Sequence, residues 1–333
     1  MPEYPSVNFI GNKEKLADWI GQFVPNSIHT IFDAFSGGAS ISYYFKRCGF
    51  QVFSNDILKI NYCLSKALIE NKSVKLDLQD IEHILSGEPI KGFMYNNFSN
   101  VYYFPEECKE LDLYHRNILA ISSPFKRALA FSVMRRAMIR KMPYSRFNIP
   151  WSKIVQLRDE DFSYKHYKRK RAYHNQSVKY HFLKEVKAYN EAVFDNGKNN
   201  KAYNLDIFSA IDKVKADLIY LDPPYAGTMN DYFGFYGMLD SWILGKERTR
   251  FRNNFTDKTE IAALLDKLFK KSSKYKYLLL SYNNVSFPAR QDIYDLLSRH
   301  FRDVSFKEKS HIYKVTGVQN KQKNIEYLFI AKN

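Results

Sequence analysis

His29-Thr30-Ile31-Phe32-Asp33-Ala34-Phe35-Ser36-Gly37-Gly38-Ala39-Ser40 is an apolar stretch that carries an acid near its end and runs straight into a turn of small residues. β-Branched and aromatic residues followed by glycines read as a strand over 29–35, which enters a helix reaching about residue 48. A short strand over 51–55 ends on Asn55-Asp56, and a helix over 57–70 follows. Upstream, apolar periodicity predicts a further helix over about 14–23. This strand–turn–helix–strand–helix order is that of a Rossmann-like, doubly wound, mostly parallel α/β sheet. The pattern resumes with strands over 202–205 and 216–221, a helix over 260–271, a strand over 275–282 and a helix over 290–300. Three closing segments, 304–309, 311–316 and 325–331, read as antiparallel strands, so an antiparallel C-terminal hairpin is expected.

Between about residues 71 and 200 helical periods dominate, and basic and aromatic residues interleave. The clearest helix runs over 124–141, with Ser123 as N-cap and Pro124 in the first turn, where its missing N–H does no harm. Phe125, Ala128, Leu129 and Ser132 are expected to face a core, and Arg127, Arg135, Arg136, Arg140 and Lys141 to reach outward. A second basic run spans 165–171. The chain thus divides into one domain made of 1–72 and 200–333, interrupted by a mainly helical insertion over 73–199.

The 333 residues are 45% hydrophobic and 26% charged, which is ordinary for a globular protein. The charge balance is not ordinary: 51 Lys and Arg against 35 Asp and Glu leave +16, which suits a polyanionic partner such as nucleic acid. A generally basic protein would look the same by charge alone. Three cysteines, an odd number without metal-ligand spacing, fit a reducing compartment and no metal site. The N-terminus lacks the apolar core of a signal peptide, and no apolar run approaches membrane-spanning length. A cytoplasmic protein with no membrane partner is expected.

Chemistry concentrates at Asp222-Pro223-Pro224-Tyr225, which follows the apolar strand Leu218-Ile219-Tyr220-Leu221. The prolines supply no N–H and keep the chain extended, so their carbonyls stay free as acceptors at the carboxyl edge of a parallel strand. The tetrapeptide alone is a weak signal, because a rigid turn after a strand is often built from Pro-Pro. The small residues 36–40 let a ligand approach backbone at a helix N-terminus. Asp56 is placed either to accept from ribose hydroxyls or to cap the next helix.

Asn8-Phe9-Ile10-Gly11-Asn12-Lys13, Phe35-Ser36-Gly37-Gly38, Asn55-Asp56, Asp206-Ile207-Phe208 and Asp222-Pro223-Pro224-Tyr225, in this order, resemble the Dam-like, D12-class adenine-specific DNA methyltransferases. The resemblance extends from Tyr4 to the C-terminal strands, with a target-recognition insertion between the cofactor half and the catalytic motif. It implies S-adenosylmethionine as cofactor. Phe9, Gly11 and Lys13 would help hold it, Lys13 near its carboxylate. Phe35 and Gly37 would line the methionine and adenosine moieties, with Asp33 and Gly38 in the same loop. Asp56 would bind the ribose beside Ile57, and Asp206 the adenine amine, with Ile207 or Phe208 against the ring. One departure stands out: the family's second spaced glycine falls at Ala39.

The same resemblance implies direct methyl transfer to an exocyclic amine. Asp222 would accept one N–H and the Pro223 carbonyl the other, Pro224 would hold the turn, and Tyr225 would stack on a base flipped out of the duplex. Neither a metal nor a cysteine nucleophile is implied. Tyr232 and Phe233 are candidate base contacts or plain core aromatics. Arg135, Arg136, Arg140, Lys141, Arg146, Lys168, Arg169, Lys170 and Arg171 are candidate DNA contacts, most of them to phosphates, or else a solvated basic face. The expected reaction is N6 methylation of adenine in double-stranded DNA, in partnership with a restriction endonuclease. Cytosine N4 or RNA adenine methylation are the alternatives. Glu107-Lys109 and Glu185-Lys187 lack the upstream Pro-Asp of a metal-dependent nuclease.

Overall fold

Five of the strands foreseen from apolar runs pair in parallel, with the one that leads into the Phe35–Gly38 turn at their centre. The computed structural model describes residues 2–9, 11–145, 147–168, 174–226, 232–248, 254–311 and 324–333. Among them, seven strands form one sheet: β1 Thr30–Asp33, β2 Gln51–Asn55, β3 Lys201–Tyr203, β4 Leu218–Leu221, β5 Tyr277–Asn283, β6 Asp303–His311 and β7 Asn324–Lys332. Their order is β3-β2-β1-β4-β5-β7-β6. β1 to β5 run parallel, and β7 is antiparallel to both β5 and β6. The fold is therefore the Rossmann-like, mostly parallel sheet with an antiparallel C-terminal pair.

Strand order reverses between β1 and β4, which are hydrogen-bonded neighbours. In open parallel sheets such a switch point opens a ligand crevice at the carboxyl ends of the strands. Here those ends lead into the Phe35–Gly38 turn and into Asp222. All four residues of β4 are buried, as expected for a central strand covered on both faces. One face carries Phe32, Ile219, Leu221, Leu278 and Leu280, packed with Ile211, Leu265, Leu268 and Leu297 from three helices. Each such side chain contributes roughly 1.5–3 kcal/mol when fully buried.

Two sequence expectations change. The 304–309 and 311–316 segments were expected as separate strands, but β6 continues unbroken to His311, because its pairing with β7 is regular from Asp303 to that residue; residues 312–316 lie outside those described. The 14–23 helix is a 3-10 turn, Glu14–Leu16, leading into a short helix, Ala17–Gly21.

By packing, the chain forms two compact units, one of Met1–Asn12, Leu58–Asn196 and Phe233–Arg250, the other of Lys13–Ile57, Gly197–Tyr232 and Phe251–Asn333. The first is helical and the second contains the sheet. Segments 1–12, 58–72 and 233–250, which the sequence division assigns with the sheet, pack with the helices instead. The Lys59–Ser65 helix and its π-helical continuation Lys66–Glu70 bury Ile60, Leu64, Ala67 and Leu68, and both pack on the Pro124–Lys141 helix. That helix begins as foreseen, with the Ser123 side chain accepting from the Lys126 N–H and Pro124 in the first turn. No helix among the described residues is long and apolar enough to cross a membrane.

Candidate active site

The turn after β1 is laced to the end of β2. Asp56 Oδ2 accepts from the Gly37 N–H at 2.9 Å, and the Ser36 N–H donates to the Asn55 carbonyl at 2.9 Å. Asn55 in turn donates to the carbonyls of Ala34 and Leu205 and accepts from the Leu205 N–H, joining the loops after β1, β2 and β3. Gly37 and Ala39 both adopt left-handed backbone, with φ of 48° and 61°. This explains why a glycine suits position 39: a side chain costs an L-residue roughly 1–2 kcal/mol there. Ala39 is fully buried, and its methyl returns about 0.8 kcal/mol. A stiffer unfolded chain adds roughly 0.4–1 kcal/mol. These effects nearly offset, so Ala39→Gly is expected to change the free energy of urea unfolding by less than about 1 kcal/mol. A loss well above that would mean the methyl is a packing element rather than a tolerated departure.

Asp33 closes β1 with a buried carboxylate. Ser42 Oγ donates to its Oδ2 at 2.6 Å, while Oδ1 is buried with no hydrogen-bond partner. A buried acceptor left so is costly unless a donor fills it. Burial pushes the Asp33 carboxyl up to about 7, against the pull of Ser42 and with help from the charges of Asp222 and Asp56. Asp206 caps the Ile207–Lys213 helix, its Oδ1 accepting from Phe208 and Ser209. Its carboxylate is exposed, Ile57 is exposed, Phe208 is half-buried and Ile207 is buried.

Asp222 lies at the end of β4 with its side chain 18% exposed. Its Oδ1 receives two donors, Lys13 Nζ at 3.1 Å and the Tyr225 hydroxyl at 2.6 Å. Lys13, implied beside the cofactor carboxylate, thus has its ammonium on the motif carboxylate. Lys13 Nζ also sits 5.2 Å from the Tyr225 ring centroid, and that ring meets Tyr282 edge-on. Beyond Tyr225 the chain is pinned by the Phe287 N–H donating to the Ala226 carbonyl at 3.3 Å.

Glu326 completes this cluster and was not foreseen. It is buried on β7, in register with Asn283 at the carboxyl end of β5. Burial pushes its carboxyl up to about 7; Lys13 opposes that shift and Asp222 adds to it. Burial alone would weaken the Lys13 ammonium, but Asp222 and Glu326 outweigh it and hold its pKa above the usual value. Only the strand register, set by the C-terminal pair, brings Glu326 to this edge.

The basic residues of the helical unit divide differently from the expectation. Arg135, Arg136 and Lys141 were expected to reach outward to DNA, and all three are buried. Arg135 donates to the Val7 carbonyl at 2.7 Å, Arg136 pairs with Glu185 at 3.3 Å, and Lys141 pairs with Glu107 at 2.6 Å. The Pro124–Lys141 helix is surrounded by its neighbours, so its cations turn to internal carboxylates and carbonyls; these three are not surface contacts. Arg140 is half-buried and Lys168 is exposed. Arg146, Arg169, Lys170 and Arg171 lie outside the described residues. Tyr232 and Phe233 open the Tyr232–Leu244 helix.

Residues 9–315 match the family model of the D12 class N6 adenine-specific DNA methyltransferases. The protein belongs to that family: it transfers a methyl group from a methyl donor to the N6 amine of adenine in DNA. It is 54% identical over 332 residues to the Type II methyltransferase M2.HphI of Haemophilus parahaemolyticus, across 100% of this chain and 99% of that one. It is 26% identical to the Type II methyltransferase M.FokI of Planomicrobium okeanokoites, across 96% of this chain but 50% of the longer relative. It is 21% identical to the Type II methyltransferase M.NlaIII of Neisseria lactamica, across 98% of this chain and 99% of that one. Family membership decides the amine left open by sequence, adenine in DNA rather than cytosine N4 or RNA.

Proposed function

We propose that the methyl donor is S-adenosylmethionine, that the substrate is adenine in duplex DNA, and that Asp222 orients the accepting amine. The observation that carries this reading is the Asp222 carboxylate at a switch-point strand end, gripped through one oxygen by Lys13 and Tyr225. The other oxygen is then the natural acceptor for one N–H of the amine, and the Pro223 carbonyl for the second. An exocyclic amine is a poor nucleophile because its lone pair is delocalised into the ring. Two acceptors fixed at an angle favour the pyramidal nitrogen, a preference strongest in the transition state. Tyr225 would stack on the base, which must leave the duplex at a cost of a few kcal/mol, roughly the loss of one stacked pair.

The residues at β1 and β2 fit this donor. The partnerless Asp33 Oδ1 is a buried acceptor suited to the donor's ammonium, Gly37 and Gly38 keep the turn open to it, and Asp56 and Ile57 suit a ribose and an adenine ring. Lys13, Phe35, Asp206, Ile207 and Phe208, with Phe9 and Gly11 from the N-terminal segment, complete the set assigned to the cofactor. Bound there, S-adenosylmethionine supplies an electrophilic methyl group on a sulfonium. Arg140, Arg146 and Lys168 to Arg171 are the remaining candidates for phosphate contacts, and Tyr232 and Phe233 for the base. Relatives that are Type II methyltransferases support a role beside a restriction endonuclease in the cytoplasm.

Asp33 gives this reading a pH signature. Its carboxyl is protonated below about 7 and so cannot pair with an ammonium. The affinity for S-adenosylmethionine is therefore expected to rise from about pH 6 to a maximum near about pH 7.5, above which the donor's own α-ammonium loses its proton, and Asp33→Asn to bind weakly with no such rise, measured by isothermal titration calorimetry. The stability effect runs the other way. The raised pKa favours the fold fully below the unfolded value of about 4, and that contribution is lost as pH rises through about 7. Sequencing methylated positions on plasmid DNA expressed with this protein tests the whole reading. N6-methyladenine at a recurring site is expected; methylated cytosine, or none, would reject it.

A further inference from the structure

The N-terminal segment that carries Phe9 is held at four points by the helical unit to which it belongs. The Arg135 guanidinium, fully buried, donates through Nη1 to the Val7 carbonyl at 2.7 Å. Beside it the Tyr189 hydroxyl, also buried, donates to the Ser6 carbonyl at 3.3 Å. Asn8, in left-handed backbone with φ 51°, donates through Nδ2 to Ser145 Oγ at 3.0 Å. The Phe9 ring itself stacks on Tyr236, with centroids 4.8 Å apart and planes 11° from parallel.

Tyr236 is itself immobilised. It lies in the Tyr232–Leu244 helix, whose Asp240 accepts from the Ile60 N–H at 2.8 Å and pairs with Arg248. Two residues further on, Trp242 Nε1 donates to the Leu111 carbonyl at 3.1 Å. A segment outside regular secondary structure, as residues 2–9 are, is ordinarily mobile unless side chains tie it down. Four separate contacts tie it here, one of them from a guanidinium whose burial is costly and which gives a hydrogen bond to this backbone.

We infer that Tyr236 and Arg135 are positioning residues for methyl-donor binding, acting through Phe9: one stacks its ring, the other fixes the backbone two residues before it. This rests on the reading of Phe9 as a cofactor contact. Neither residue touches the reacting atoms. Arg135, which the helical pattern assigned to DNA, serves the cofactor segment instead. The consequence is a split in the kinetics, with loss of Tyr236 weakening donor affinity while turnover at saturating donor stays intact.

The test uses the full chain with Phe9→Ala, Tyr236→Leu, Tyr236→Phe, Arg135→Met and the Phe9→Ala/Tyr236→Leu double variant. The dissociation constant for S-adenosylmethionine is measured by calorimetry, alongside KM for the donor and kcat on duplex DNA. Tyr236→Leu is expected to weaken donor binding and raise its KM by about three- to tenfold, with kcat within about twofold, and Tyr236→Phe to restore wild-type behaviour. The double variant should bind no more weakly than Phe9→Ala, since both act through one ring. If Phe9→Ala binds weakly but Tyr236→Leu and Arg135→Met bind like wild type, the inference is overturned and the Phe9 reading survives. If Phe9→Ala binds normally, both fail. Should Arg135→Met not fold, the two Tyr236 variants decide alone.

Discussion

Glu107→Ala is expected to destabilise the helical unit by about 3–5 kcal/mol. Glu107 Oε1 holds Lys141 at 2.6 Å, and Oε2 holds Arg158 at 2.7 Å and the Phe104 N–H at 3.0 Å. Both cations are nearly inaccessible, so removing the carboxylate strands two buried charges. Burial would raise the Glu107 pKa, but Arg158 and Lys141 outweigh it and hold it below the usual range. A depressed carboxylate stabilises the fold above its unfolded pKa and loses that contribution as pH falls through the folded one. Wild type should therefore weaken in acid more steeply than Glu107→Gln. Urea unfolding followed by tryptophan fluorescence, to which Trp151, edge-on against Phe104, and Trp242 contribute from this unit, reads the change. A cost under about 1 kcal/mol would mean that Lys141 and Arg158 find other partners.

Asp222→Ala is expected to lower kcat by about 10²–10³-fold while leaving donor and DNA affinities close to wild type. The carboxylate is proposed to act on a nitrogen whose geometry changes only as the methyl arrives, so its loss falls on turnover rather than binding. Lys13 would remain beside Glu326, which limits the disturbance to the fold. Asp222→Asn, which keeps one acceptor oxygen, should fall between the two. A matched rise in KM with kcat intact would instead identify Asp222 as a binding residue.

Much of the sheet unit was legible because its signals are local. The Phe35–Gly38 turn, Asp56 and the Pro-Pro exit from β4 each declare themselves within a few residues, and their order along the chain names the family. What was not legible depends on distant partners. The Pro124–Lys141 helix has the cations of a surface helix, and partners distant in sequence, Glu107 and the Gln176 carbonyl for Lys141 and Glu185 for Arg136, draw them inward. Glu326 is one acid near the start of an apolar strand until β7 pairs with β5 and brings it to the edge where Asp222 lies. Likewise no local pattern marks Tyr236 as the partner of Phe9. At Ala39 the sequence showed a departure, and the backbone showed its meaning, a left-handed residue whose buried methyl compensates.

The most direct test of the central claim is single-turnover transfer of a tritiated methyl group from S-adenosylmethionine to duplex DNA, with digestion to nucleosides, for wild type and Asp222→Ala at equal donor and DNA occupancy. The wild-type label should appear in N6-methyldeoxyadenosine, and the variant should transfer it at least about a hundredfold more slowly. Equal rates in the two proteins, or label recovered on cytosine, would contradict the assignment of Asp222 as the residue that presents adenine N6 to the methyl group.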